Sequence, residues 1–148
     1  MIIPAMPFET ASPRYTITYN GEIYNYVELK EDLVKQGYQF KTASDTEVLM
    51  ALYDKHKDKC LPLLDGMFAF AIWDKQKKEL FIARDRLGIK PVYYYKTKDH
   101  FLFSSEVRAL LVSGLVPKKI NTAALADYFT YQTIHAPQTI IKDVLMLM

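Results

Sequence analysis

An α+β fold, antiparallel strands covered by helices, is predicted by three observations on this chain. A strand-like run and two amphipathic helices come first, a block of hairpin-spaced strands fills the middle, and two further helices follow. That order lacks the strand–helix alternation of a doubly wound parallel sheet.

Residues 1–14 hold prolines and no periodic pattern, and read as an irregular leading segment. Tyr15-Thr16-Ile17-Thr18-Tyr19 alternates β-branched and aromatic residues, a strand signal. Asn25 with Glu28 three positions on has the form of a capping box. Tyr26, Leu29, Leu33 and Val34 follow at helical spacing, and Gly37 stands where a helix C-cap belongs. Gln39–Thr42 is a short, weak strand pattern. Ser44 with Glu47 marks a second helix, its buried stripe Val48, Leu49 and Leu52 running to about His56. Leu61–Leu64 suits a further helical turn.

Met67–Trp73 is short, aromatic-rich and apolar on both faces, as a strand buried between two layers would be. Asp74–Lys78 is a polar turn, and Leu80–Ala83 returns as a hairpin. Val92–Lys96 and Phe101–Ser104 form a second hairpin around Thr97-Lys98-Asp99-His100. Glu106–Ser113 is a helix capped by Gly114, and Asn121 caps a last helix ending near Phe129–Tyr131. Gln132–Met148 reads as a linker.

Composition narrows the function classes. Half of the 148 residues are hydrophobic, with 11 Tyr and 8 Phe, which excludes disorder. A net charge of +2 with dispersed lysines argues against a nucleic-acid partner. The longest apolar run, Met67–Trp73, is far below the roughly 18 residues of a membrane helix. A single cysteine excludes an internal disulfide framework and suits a reducing cytoplasm.

Asn20-Gly21 follows the first strand. Its common use is a hairpin turn; its other use is a pair of donors, the Asn amide and the Gly N–H, open to a substrate oxygen. Asp45, in the first turn of the second helix, complements the helix dipole, and as a lasting carboxylate it could also hold an ammonium. Cys60 is the only thiol, with His56 four residues before it, but it closes the charged run His56-Lys57-Asp58-Lys59 and a structural role fits better. Arg84–Pro91 lacks the glycine density of a phosphate loop and reads as a polar turn. His56, His100 and His135 show no metal-ligand spacing, so no metal site is expected.

The blocks Tyr19–Tyr26, Ser44–Leu49, Leu64–Asp74, Leu80–Pro91 and Phe103–Glu106 resemble, in order and spacing, one family. It is the glutaminase domain of glutamine-hydrolysing asparagine synthetase, a class II glutamine amidotransferase of the N-terminal-nucleophile type. The resemblance implies two stacked antiparallel β-sheets flanked by helices, an αββα sandwich, here lacking its first strands. It implies that an N-terminal Cys attacks the glutamine amide, that Asn20 and Gly21 form the oxyanion hole, that Glu22 lines the substrate position, and that Asp45 grips the α-ammonium. It implies no cofactor in this domain, with ATP and Mg acting in a synthetase domain of the same polypeptide.

The family begins Met-Cys-Gly, whereas residue 2 here is Ile and no Cys precedes residue 60. The family's carboxylate-binding Arg also has no counterpart, since Arg14 stands in another context. The expectation is therefore an incomplete amidotransferase domain over residues 1–131, a linker over 132–148, and a chain inactive on its own that self-associates or forms a homo-oligomer. Two alternatives stand beside it: a pseudo-glutaminase, partner-binding domain that begins at Met1, and an amidotransferase domain serving a different acceptor.

Overall fold

The computed structural model describes residues 8–9 and 14–148, and carries its strands in two antiparallel sheets. Contacts divide the chain into two units, Met1–Ile89 and Lys90–Met148.

In the first unit, β1 (Phe8–Glu9), β2 (Tyr15–Ile23), β3 (Gly66–Asp74) and β4 (Glu79–Arg84) pair in that order. Strand β1 falls in the segment expected to be irregular. Strand β2 runs on through Asn20-Gly21-Glu22 to Ile23, opposite Gly66 of β3, so these residues lie within a strand and not at its end. Alternation along β2 sends Tyr15, Ile17 and Ile23 into the core with Phe68, Phe70 and Ile72 of β3. Helices α1 (Tyr26–Lys35) and α2 (Asp45–His56) add Leu33, Val48, Leu49 and Leu52 to that core. Phe68 through Ile72 are all buried, as expected of a doubly covered strand, while Trp73 is exposed.

The helix caps differ in detail from the sequence pattern. Ser44 caps α2 by accepting from the Thr46 N–H at 3.2 Å. Glu47 does not complete a capping box. Its buried carboxylate turns back to accept from the Lys41 and Thr42 N–H groups at 2.9 and 2.8 Å. Those bonds hold Lys41–Thr42 as an irregular bend, so the expected strand at Gln39–Thr42 does not form. Asn25 likewise makes no side-chain cap for α1. Its amide reaches across the fold, donating to the Leu63 carbonyl at 3.0 Å and accepting from the Asp65 N–H at 3.1 Å. Long-range partners compete successfully with local caps here. Between α2 and β3, Lys57–Leu63 winds as a 3-10 segment and buries Cys60.

Polar turns join the strands. Asp74 accepts from the Gln76 and Lys77 N–H groups at 3.0 and 3.1 Å, closing the β3–β4 hairpin. After β4, Asp85 organises Arg84–Ile89 as a turn. Its Oδ1 accepts from the Ile89 N–H at 2.9 Å and its carbonyl from the Gly88 N–H at 3.0 Å. Gly88, at φ +65°, packs against the Arg84 guanidinium where a Cβ would collide. The polar-turn reading of this segment therefore holds.

In the second unit, β5 (Tyr93–Lys96) pairs with β6 (Phe101–Ser104) on one side and β7 (Val144–Met146) on the other. Helix α3 (Val107–Val112) contributes Leu110 to a core with Tyr95, Val116 and Val144. Helix α4 (Thr122–Tyr131) is capped by Asn121, which accepts from the Ala124 N–H at 3.3 Å. The expected linker over 132–148 is corrected here. Val144 is fully buried in β7, and Thr139 Oγ1 donates to its carbonyl at 2.8 Å. Strand β7 is three residues long and forms only by pairing with β5, so its short apolar run does not mark it as a strand.

Candidate functional site

The hydrogen-bond parity of the first sheet determines what β2 offers along its length. Residues of an antiparallel strand point their N–H and C=O groups alternately to one neighbour and the other. The Phe68 carbonyl accepts from the Asp85 N–H at 2.7 Å, and the Phe68 N–H donates to Asp85 Oδ2 at 3.3 Å. Phe68 thus spends both groups toward the β4 side. Its β2 partner, Gly21, is then a non-hydrogen-bonded pair member, and its N–H faces away from β3. Two residues on, the Ile23 N–H faces the same way and donates to Asp45 Oδ2 at 3.2 Å.

Gly21 is obligatory at this position. A Cβ on it would strike the Met67 carbonyl and lie 2.6 Å from Phe68 Cα. Gly66 makes the reciprocal approach, where a Cβ would strike the Glu22 carbonyl. The two glycines draw β2 and β3 together beside the Gly21 N–H, with no side chain at residue 21 to obstruct that edge.

Asp45 opens α2 and is held against the same stretch of β2. Besides the Ile23 N–H, its Oδ2 accepts from the Tyr19 hydroxyl at 2.6 Å. Burial, followed by that hydrogen bond to Asp45, pushes the Tyr19 phenol well above its ordinary range. Asp45 Oδ1 lies 3.4 Å from Thr46 Oγ1.

Asn20 and Glu22 project from the strand face opposite Tyr19 and Ile23. Both are exposed, and among the described residues neither side chain makes a hydrogen bond. The structure therefore brings Gly21 and Asp45 to one strand edge, and leaves the Asn20 side chain on the neighbouring face of the same strand. Tyr19 was not singled out from sequence, because an aromatic residue in an alternating strand reads as core. An open, polar cavity of about 510 Å³ in the second unit is lined by residues such as Lys96, Asn121, Gln138 and Lys142, and none of the four predicted site residues lines it.

Cys60 and Arg14 both take structural roles. Cys60 is fully buried, and burial pushes its thiol up to about 11. Arg14 binds Asp74 through two guanidinium nitrogens, at 3.0 Å from Nε and 2.6 Å from Nη2. Among the described residues no group of three His, Cys, Asp or Glu side chains is arranged to hold a metal, and no helix is long and apolar enough to cross a membrane.

The family described as the glutamine amidotransferase domain matches residues 4–148. The chain is 44% identical over 134 residues to glutamine-hydrolyzing asparagine synthetase 1 of Bacillus subtilis, covering 90% of this chain and 21% of that protein. Against asparagine synthetase 3 of the same organism it is 42% identical over 125 residues, covering 84% and 20%. The chain thus spans about a fifth of the length of these relatives. A solved structure of glutamine phosphoribosylpyrophosphate amidotransferase from Bacillus subtilis, complexed with ADP and GMP, aligns at TM-score 0.62 and 29% identity, over 74% of this chain and 26% of that one. The fold class is accordingly the expected one, α+β with two antiparallel sheets and flanking helices, of the N-terminal-nucleophile type.

Proposed function

The chain belongs to the glutamine amidotransferase domain family, and from that membership we propose that it is the glutaminase portion of an asparagine synthetase. The parent hydrolyses glutamine to glutamate and ammonia, and uses the ammonia with ATP to convert aspartate to asparagine. One observation carries the reading: the Gly21 N–H and the Asp45 carboxylate share the edge of β2. Two residues of extended strand span roughly 6.8 Å, the scale of glutamine between its α-nitrogen and its side-chain amide.

In this proposal a thiolate from outside these 148 residues attacks the amide carbon, and the carbonyl electron pair moves onto oxygen. The Gly21 N–H and Asn20 Nδ2 hold that oxyanion, which requires the exposed Asn20 side chain to turn toward the edge. The α-amino group of the nucleophilic residue takes the thiol proton and passes it to the amide nitrogen, so that collapse of the adduct expels ammonia and leaves a thioester, which water hydrolyses to glutamate. Asp45 holds the α-ammonium and Glu22 lines the substrate position. Neither metal nor cofactor serves this half-reaction. ATP and magnesium act in the synthetase portion of the polypeptide.

Taken alone, the 148-residue chain is inert on this proposal, because its single thiol is buried and held protonated. Its exposed Val112, Phe129 and Tyr131 favour self-association. The test uses the complete polypeptide with glutamine or free ammonia as nitrogen donor. Asn20→Ala lowers glutamine-dependent asparagine formation by a factor of about 10² or more and leaves ammonia-dependent formation unchanged. Equal loss with both donors, or loss with neither, overturns the proposal.

A further inference from the structure

Building on the glutaminase reading, we propose that Tyr19 is a positioning residue that aims the Asp45 carboxylate at the α-ammonium of free glutamine, and so excludes amides that lack one. A carboxylate oxygen has room for about two donors. Asp45 Oδ2 takes two, the Tyr19 hydroxyl at 2.6 Å and the Ile23 N–H at 3.2 Å. One comes from a side chain on the strand face and the other from the backbone at its edge, so together they fix the rotation of the carboxylate. Oδ1 meets only Thr46 Oγ1 among the described residues, at 3.4 Å, and keeps acceptor capacity.

The short Tyr19 contact is typical of a hydroxyl donating to an ionised carboxylate. The carboxylate also sits in the first turn of α2, where the helix dipole favours an anion. Burial, then the hydrogen bond to Asp45, raises the phenol's pKa, so the hydroxyl remains a donor at neutral pH. The arrangement commits one carboxylate oxygen to the protein and leaves the other with acceptor capacity for a ligand. Glutamine within a peptide, whose α-nitrogen is an uncharged amide, would leave that oxygen unmatched.

The test compares glutamine with 4-carbamoylbutanoate, the same amide without the α-amino group, in the complete glutamine-hydrolysing polypeptide. Tyr19→Phe raises KM for glutamine roughly tenfold with kcat little changed, and leaves kcat/KM for 4-carbamoylbutanoate as it was. In an Asp45→Asn background, Tyr19→Phe adds nothing further. Equal effects on both substrates, a fall in kcat alone, or a lower Tm with KM unmoved would reduce Tyr19 to a latch between α2 and β2. If Tyr19→Phe does not fold, 3-fluorotyrosine placed at residue 19 strengthens the donor without changing shape. KM then shifts for glutamine only, and an unchanged KM overturns the proposal. A wild-type polypeptide with no glutaminase activity would instead defeat the underlying reading.

Discussion

Gly21 lies so close to Phe68 across the β2–β3 pair that a Cβ would stand 2.6 Å from Phe68 Cα. The contact is backbone against backbone, and no rotamer change relieves it. Gly21→Ala is therefore expected to destabilise the fold by at least about 2 kcal/mol, read as a lower midpoint in urea. An unchanged midpoint would mean that the two strands separate there at little cost.

Glu47 tests the bend before α2. Burial alone would raise its pKa, but the hydrogen bonds from Lys41 and Thr42 outweigh burial and hold it below its ordinary value. Glu47→Gln keeps the shape and loses an acceptor charge, at a cost of about 1–3 kcal/mol. Ser44→Ala removes only the cap on Thr46 and costs about 1 kcal/mol. Denaturant midpoints for the two variants should rank in that order.

Acid sensitivity follows from Asp74. The Arg14 guanidinium, against the opposing effect of burial, holds its carboxyl far below the usual range. An unfolded Asp titrates near about 3.9. The stabilisation is therefore complete above that value, and is lost as pH falls toward the folded pKa. The Tm difference between wild type and Asp74→Asn should be widest near neutrality and narrow below pH about 4. A difference independent of pH would remove the charge from the explanation.

Cys60 should resist a disulfide reagent in the native chain and react on unfolding, since its thiol is buried and its pKa stands at about 11. Cys60→Ser should leave the chain as inert toward glutamine as before. Fast labelling of the folded chain would reopen Cys60 as a nucleophile.

Much of this was legible in the sequence where periodicity and burial agree. The strand around Met67–Trp73, helix α2 from Ser44, and the hairpin at Phe101–Ser104 stand where their patterns predict. What escaped depends on partners distant in sequence. Asn25 leaves its cap for Leu63 and Asp65, β2 extends past Asn20 because β3 pairs with it to Ile23, and Val144 becomes a strand residue only beside β5. Asp45 could be singled out as a first-turn acid. Tyr19 could not, because its role lies in a hydrogen bond to a helix 26 residues on.

The most direct measurement is a titration of the ¹⁵N-labelled 148-residue chain with glutamine, followed by NMR. The Gly21 amide and the Asn20 side-chain amide should shift saturably, and Asp45→Asn should abolish both shifts. Glutamine that leaves both signals unmoved, or moves them equally in the Asp45→Asn chain, would contradict a substrate cradle along the edge of β2.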